Sequence, residues 1–264
     1  METFADYILD EKNLASKMEI VYYLAKKEKI FFDKSVIFKT ELVRLFLRFN
    51  KLDLDENLIL TASLLCSCKK EENARDFVKI KEYSEIGARY LSTLGFNDKF
   101  CKVCEEVNRY SGSHPRERES DIIELGDSFG GLLLDRPERV GFKTDEAIVL
   151  LKYRNFKDQY NKYLETFIQF INMLEEINMG EFIETKVIEK LVEEYNKKKT
   201  LKDFIEYVVN EYEPSVDKLI IDRYKKLEEK IFNEEQRYEN RPLFTKETTR
   251  KIMQEIAERK RKEN

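Results

Sequence analysis

Apolar residues recur at three- and four-residue spacing along most of this chain, the period of amphipathic helices rather than of strands. The pattern predicts helices over Met18 to Lys27, Glu41 to Asn50 and Glu56 to Cys66. In the second of these, Leu42, Val43, Leu45, Phe46 and Phe49 form one stripe suited to burial. Thr144 is a plausible cap ahead of the apolar run Ala147 to Leu151. A second stripe then runs through Phe156, Tyr160, Tyr163, Phe167, Phe170, Ile171, Leu174 and Ile177 toward Gly180, as core or as a partner-binding face. Further helices are expected at about Ile183 to Lys197, Leu201 to Glu211, Val216 to Asn233 and Lys246 to Lys262, separated by Thr200, Pro214 and Pro242. No strand-like alternation of any length and no internal repeat occurs, so the expected fold class is all-α.

Glycine divides the chain. Seven of its eight glycines lie between Gly87 and Gly141, so tight turns and close helix packing are expected in that middle stretch. Gly130-Gly131 stands in a predicted helix, where each glycine costs about 1 kcal/mol relative to Ala, and close backbone approach there is the expected reason. The boundary between two folding units is placed at 151/152, giving 1–151 and a helical extension 152–264.

Charged residues make up 38% of the 264, yet aromatic residues reach 12%, enough apolar surface for a folded core. A net charge of −4 gives no global reason to expect nucleic-acid binding. The local exception, Arg259-Lys260-Arg261-Lys262, reads as a solvated helix end complementing its dipole, or as a contact for anionic lipid or nucleic acid. No apolar run approaches the ~20 residues needed to span a bilayer, and a cytoplasmic location is expected. Cys66-x-Cys68 and Cys101-x-x-Cys104 have spacing tolerable for zinc, but buried reduced thiols are the expected state.

Five segments appear in order along the middle of the chain. They are Leu64-Leu65-Cys66-Ser67-Cys68-Lys69-Lys70, Tyr83-Ser84-Glu85-Ile86-Gly87-Ala88, Arg109-Tyr110-Ser111-Gly112-Ser113-His114-Pro115, Gly126-Asp127-Ser128-Phe129 and Asp135-Arg136-Pro137-Glu138-Arg139. Together, over roughly Ile37 to Leu151, they resemble the scaffold of an HD-GYP domain, the family of cyclic di-GMP phosphodiesterases. The resemblance implies a helical domain that presents His, Asp and Glu ligands to two or three metal ions, which make a hydroxide nucleophile and polarise the phosphodiester.

Nearly every ligand is replaced. The early histidine matches Lys39, the His-Asp pair matches Cys66 and Ser67, and the next histidine matches Tyr83. The following His-His-Glu matches Glu106, Val107 and Asn108, and the namesake loop is one residue short. Lys70, Asp127 and Arg136 survive. Since His114 is the only histidine in the chain, a site built on several imidazoles cannot form, and neither phosphodiesterase activity nor a resident metal or other cofactor is expected.

The resemblance then implies a degenerate, non-catalytic regulatory module for bacterial signalling that works through a protein partner, with homodimerisation through helical surfaces possible. The alternative is a receptor for cyclic di-GMP that grips phosphate with Lys70 and Arg136, and a remodelled metal-dependent phosphohydrolase is a remote third. Against the receptor stands the expectation that Lys70 and Arg136 pair with Asp127 or Glu106 and fill the space themselves. His114 is expected at a solvent-facing turn or at the entry to that space.

Overall fold

The computed structural model describes residues 3–70, 77–108, 116–136, 139–155, 161–176 and 187–222, together with 225 and 229. Contacts divide the chain into Met1–Val216 and Asp217–Asn264. Among the described residues the first unit is helical, and its one β-type pairing is an isolated bridge between Arg136 and Arg139.

The helices of this unit are α1 (Phe4–Asp10), α2 (Leu14–Glu28), α3 (Lys34–Asn50), α4 (Glu56–Leu65), α5 (Phe77–Thr93), α6 (Asp98–Glu106), α7 (Arg118–Leu133), α8 (Thr144–Asn155), α9 (Leu164–Glu176), α10 (Val187–Lys197) and α11 (Leu201–Tyr207). Polar residues that accept from free N–H groups start most of them. Thr3 and Asp6 make a capping box on α1, while Asn13, Asp33, Asp55, Asn97 and Thr200 cap α2, α3, α4, α6 and α11. The helix after Gly141 begins at Thr144 itself, with Glu146 accepting from the Lys143 backbone N–H.

Helix α3 is the central element, packed on α4, α7, α9, α10 and α11. Its pairing with α7 is the most extensive of these, and glycine sets its closeness. A Cβ on Gly126 would stand 2.5 Å from Val43 Cγ2 and 3.3 Å from the Lys39 carbonyl, and one on Gly130 would stand 2.9 Å from Lys39 Cγ. Spaced four apart, the two glycines lie on one face of α7 and let the α3 backbone approach.

The stripe on α9 is core. Phe167 and Phe170 surround Phe46 of α3 at ring separations of 5.3 and 5.5 Å, and Phe129 of α7 meets Phe167 at 5.6 Å. The 151/152 boundary falls within α8, and α9, α10 and α11 belong to the same compact unit as α3. Lys34, the first residue of α3, donates to the carbonyls of Tyr195 and Lys198 at 2.6 Å each and so ties the end of α10 to it.

Pro214 does not separate two helices. Helical backbone continues past it, preceded by a π turn at Val208–Tyr212 in which the Glu213 N–H reaches the Val208 carbonyl. The wider turn directly before the proline relieves the ring's conflict with the carbonyl four residues earlier. The expected positions Phe156, Tyr160, Ile177, Gly180, Arg109 to Pro115 with His114, and the terminal helix with its basic run lie outside the described residues.

Candidate functional site

Lys39 lies one turn into α3 on the side facing α7, and its ammonium donates to Asp127 Oδ1 at 2.7 Å. The lysine side chain is 13% exposed and the carboxylate 36%, so the pair is partly sheltered and still reachable from solvent. Burial pushes the Asp127 carboxyl up, but Lys39, Lys70 and Arg136 outweigh it and hold the group below the usual aspartate value.

Lys70 approaches from the turn that follows α4. Its Nζ lies 6.0 Å from the ring centres of both Phe31 and Tyr83, and among the described residues it bonds to no carboxylate. Repulsion from Lys39 is the main reason its proton is held less tightly than an ordinary lysine's, with burial adding to the effect and Asp127 opposing it.

Arg136 follows the C-terminus of α7. It donates to the Gly131 carbonyl at 3.2 Å, and the same oxygen accepts from Arg139 at 2.7 Å. A Cβ on Gly131 would come within 3.0 Å of the Arg136 guanidinium. The glycine pair therefore has a local cause: Gly130 admits the stem of Lys39 and Gly131 admits the head of Arg136, three and four residues beyond Asp127.

Three cations thus act electrostatically on one carboxylate, Lys39 through a direct hydrogen bond. Asp33 and Arg139 flank the cluster with one charge of each sign; the Asp33 carboxylate accepts from the Ser35 and Val36 N–H groups, and Arg139 caps carbonyls of Gly131, Leu132 and Leu134. Asp135, next to Arg136, accepts from the Gly141 N–H and adds a further acid, so among the described residues the excess is one positive charge.

Of the other residues aligned with ligand positions, Cys66 caps the end of α4 and sits beside the cluster. Burial pushes its thiol up to about 12, Asp127 adding to the rise while Lys39 and Lys70 oppose it. Tyr83 lies beside Lys70, whereas the Ser67 carbonyl accepts from the Lys70 backbone N–H at 2.8 Å. Asn108 donates to Ser84 Oγ at 3.3 Å, and Val107 is buried at the end of α6. Glu106 does not pair with Lys70 or Arg136. Its carboxylate accepts from the Glu117 N–H and the Ser120 hydroxyl and meets Lys102, which directs it to the α6–α7 contact.

Cys104 of α6 lies in electrostatic reach of Cys66, Cys68 and Cys101. Among the described residues no group of three or more His, Cys, Asp or Glu side chains is positioned to hold a metal ion.

Three buried polar groups escaped sequence reasoning, one of them the Arg44–Glu41 pair of α3, whose guanidinium donates to both carboxylate oxygens at 2.8 Å. Lys17 of α2, 1% exposed, donates to the Ile8 carbonyl and the Thr61 hydroxyl at 2.5 and 2.6 Å. Arg116 lies 2.8 Å from Asp121 and 3.5 Å from Glu124, and Asn161 donates to the Glu124 carboxylate at 3.0 Å. Neither of these last two networks reaches the Lys39 cluster. The available signal was a polar residue on an apolar helical face, as at Lys17 between Leu14 and Met18 and Val21.

No helix of the described residues is long and apolar enough to cross a membrane. Comparisons of the chain with protein-family models, with curated proteins and with solved structures found no match in any of the three.

Proposed function

We propose that this chain is a binding module that holds a phosphate-bearing ligand at Lys39, Lys70 and Arg136 and does not hydrolyse it. The observation that carries the reading is the Lys39–Asp127 contact of 2.7 Å with two further cations in electrostatic reach of the same carboxylate. Asp127 and Asp33 together do not neutralise three bases, and an anion entering beside Asp127 gains charge-assisted hydrogen bonds without displacing a hydrogen-bonded carboxylate of the described residues from Lys70.

The resemblance to phosphodiesterases gives Lys39 a particular meaning. In the resembled family a metal cation would stand against the late aspartate. Here a tethered ammonium stands there, supplying positive charge but no water of lowered pKa to act as nucleophile. Binding without turnover is the chemistry such an exchange favours. Of the two binding modes expected from the sequence, ligand receptor and protein-partner module, the charge excess supports the receptor.

Calorimetric titration of the whole chain with inorganic phosphate, mononucleotides, cyclic di-GMP and cyclic di-AMP tests the reading. Saturable binding of at least one of them, lost in Lys70→Ala and in Arg136→Ala, is the expected result. Chromatography of the same mixtures with added Mn²⁺ or Fe²⁺ should return the ligand intact. Absence of binding by all of them, or formation of linear dinucleotide, would overturn it.

A further inference from the structure

Helix α8 carries an apolar surface that its own core does not use. Ala147, Ile148, Val149, Leu150 and Leu151 are consecutive, and at about 100° per residue such a run goes right round a helix. Packing on α7 buries Ala147 and Leu151 and leaves Val149, on the opposite side, 66% exposed. Tyr153, one turn further on, is 62% exposed. Among the described residues the other large exposed apolar side chains, Tyr7, Tyr23, Ile86, Val140 and Ile221, lie on other segments, so this is where two of them share one helix at four-residue spacing.

We propose that this face of α8 joins a second copy of the chain, in an antiparallel pair of α8 helices about a twofold axis at Val149. The order of charges along the face selects that occupant. Counted round the helix from Val149, Asp145 and Lys152 lie about 40° and 60° to one flank, and Glu146 and Tyr153 about 60° and 40° to the other. An antiparallel twofold sets residues before Val149 against residues after it and keeps each flank on its own side.

Asp145 then meets the partner's Lys152, nearly level, since four residues before Val149 and three after it differ by one rise of about 1.5 Å. The ion pair forms twice. Asp145 and Lys152 are both exposed, and neither side chain makes an ion pair or hydrogen bond with the described residues. On the other flank Glu146 meets the partner's Tyr153, whose hydroxyl can donate to the carboxylate oxygen that the Lys143 N–H does not use. Arg154 lies about 140° from Val149, outside the contact. A parallel pair would instead set Asp145 against Asp145 and Lys152 against Lys152, and like charges repel.

Size sets the strength. A three-turn helix face buries about 600–800 Å² over both copies, below the ~1,200 Å² of stable interfaces, so the dimer forms at micromolar to millimolar concentration. No residue of the Lys39 cluster takes part.

Sedimentation equilibrium of the full chain from about 10 to 500 μM should show monomer and dimer in exchange. Val149→Asp should weaken the dimer at least about tenfold while leaving thermal unfolding in place, because the position is exposed. Asp145→Lys and Lys152→Asp should each weaken it severalfold, and the two together should restore it. Seven residues apart on one helix, these side chains do not reach each other, so recovery has to come from across the pair. Val149→Cys should cross-link to a dimer under diamide, whereas the unaltered chain and Tyr23→Cys should not. A chain that stays monomeric throughout, a dimer indifferent to Val149→Asp, or charge reversals that add without recovery would overturn the proposal.

Discussion

A methyl group on Gly130 would lie 2.9 Å from Lys39 Cγ, so a missing side chain on α7 is what lets the Lys39 ammonium reach Asp127. Leu42 and Phe38 crowd the same point at 3.3 and 3.4 Å, which leaves the lysine stem little room to step aside.

Gly130→Ala therefore sets two effects against each other. Alanine favours the helix by about 1 kcal/mol, whereas overpacking a tight contact costs about 1–3 kcal/mol. A net loss of about 1 kcal/mol is expected, accompanied by weaker anion binding as Lys39 is displaced. Truncating the stem with Lys39→Ala removes the collision, so in a double-mutant cycle measured by urea unfolding the second change should recover part of the loss. Additive effects would show that the glycine serves the helix crossing alone.

Much of this architecture is legible in the chain, because the Leu42, Val43, Leu45 and Phe46 stripe obeys the helical period and caps such as Thr200 carry their own chemistry. The site is less so. Lys70, Asp127 and Arg136 are visible as survivors of an ordered motif, but Lys39 reads only as a lost ligand. Its partnership spans 88 residues of sequence and depends on a helix crossing that no local pattern encodes. Of the two acids expected opposite Lys70 and Arg136, it is Asp127 that feels them, since α6 turns the Glu106 carboxylate toward the start of α7. Pro214 misleads because local rules treat proline as a break and do not foresee a π turn that accommodates it.

Lys17 should make stability depend on pH. Burial, outweighing the attraction of Glu11 and Asp55, lowers its amine from 10.5 to about 8, with Lys12 adding to the shift. A lysine depressed in the folded state is held protonated at a cost below its folded value, and that cost fades as pH rises toward its unfolded value. Between pH 7 and 9.5 the unfolding free energy should thus rise by about 2 kcal/mol relative to Lys17→Met, which lacks this titration. Chemical denaturation of both proteins across that window checks the slope; parallel curves would mean that the ammonium is well solvated.

The cysteines should be unreactive in the folded protein. Burial pushes Cys66 and Cys68 up to about 12 and Cys104 well above the ordinary thiol value, while half-buried Cys101 is raised less. Because the thiolate is the nucleophile, iodoacetamide at pH 8 should modify Cys101 first and reach the other three only on unfolding. Peptide mass spectrometry gives the order directly. Rapid native labelling of Cys66 would imply an open, polar environment beside Asp127 in place of the sheltered one described.

Arg116 should carry a large single-residue effect on stability. Its side chain is 4% exposed and stands between Asp121 and Glu124, each 6% exposed. Burial already raises the Asp121 carboxyl despite the arginine, so the guanidinium is the main charge that holds the two acids in the interior. Arg116→Met would take the nearest cation from both, leaving Lys162 as a weaker attraction on Asp121 and the Asn161 and Ser128 hydrogen bonds on Glu124, at a cost of about 3 kcal/mol. Adding Asp121→Asn and Glu124→Gln removes the stranded charges and should return much of that loss, because an amide needs hydrogen bonds but no counter-ion. The triple variant melting no higher than Arg116→Met would place the arginine's contribution in packing, not in charge.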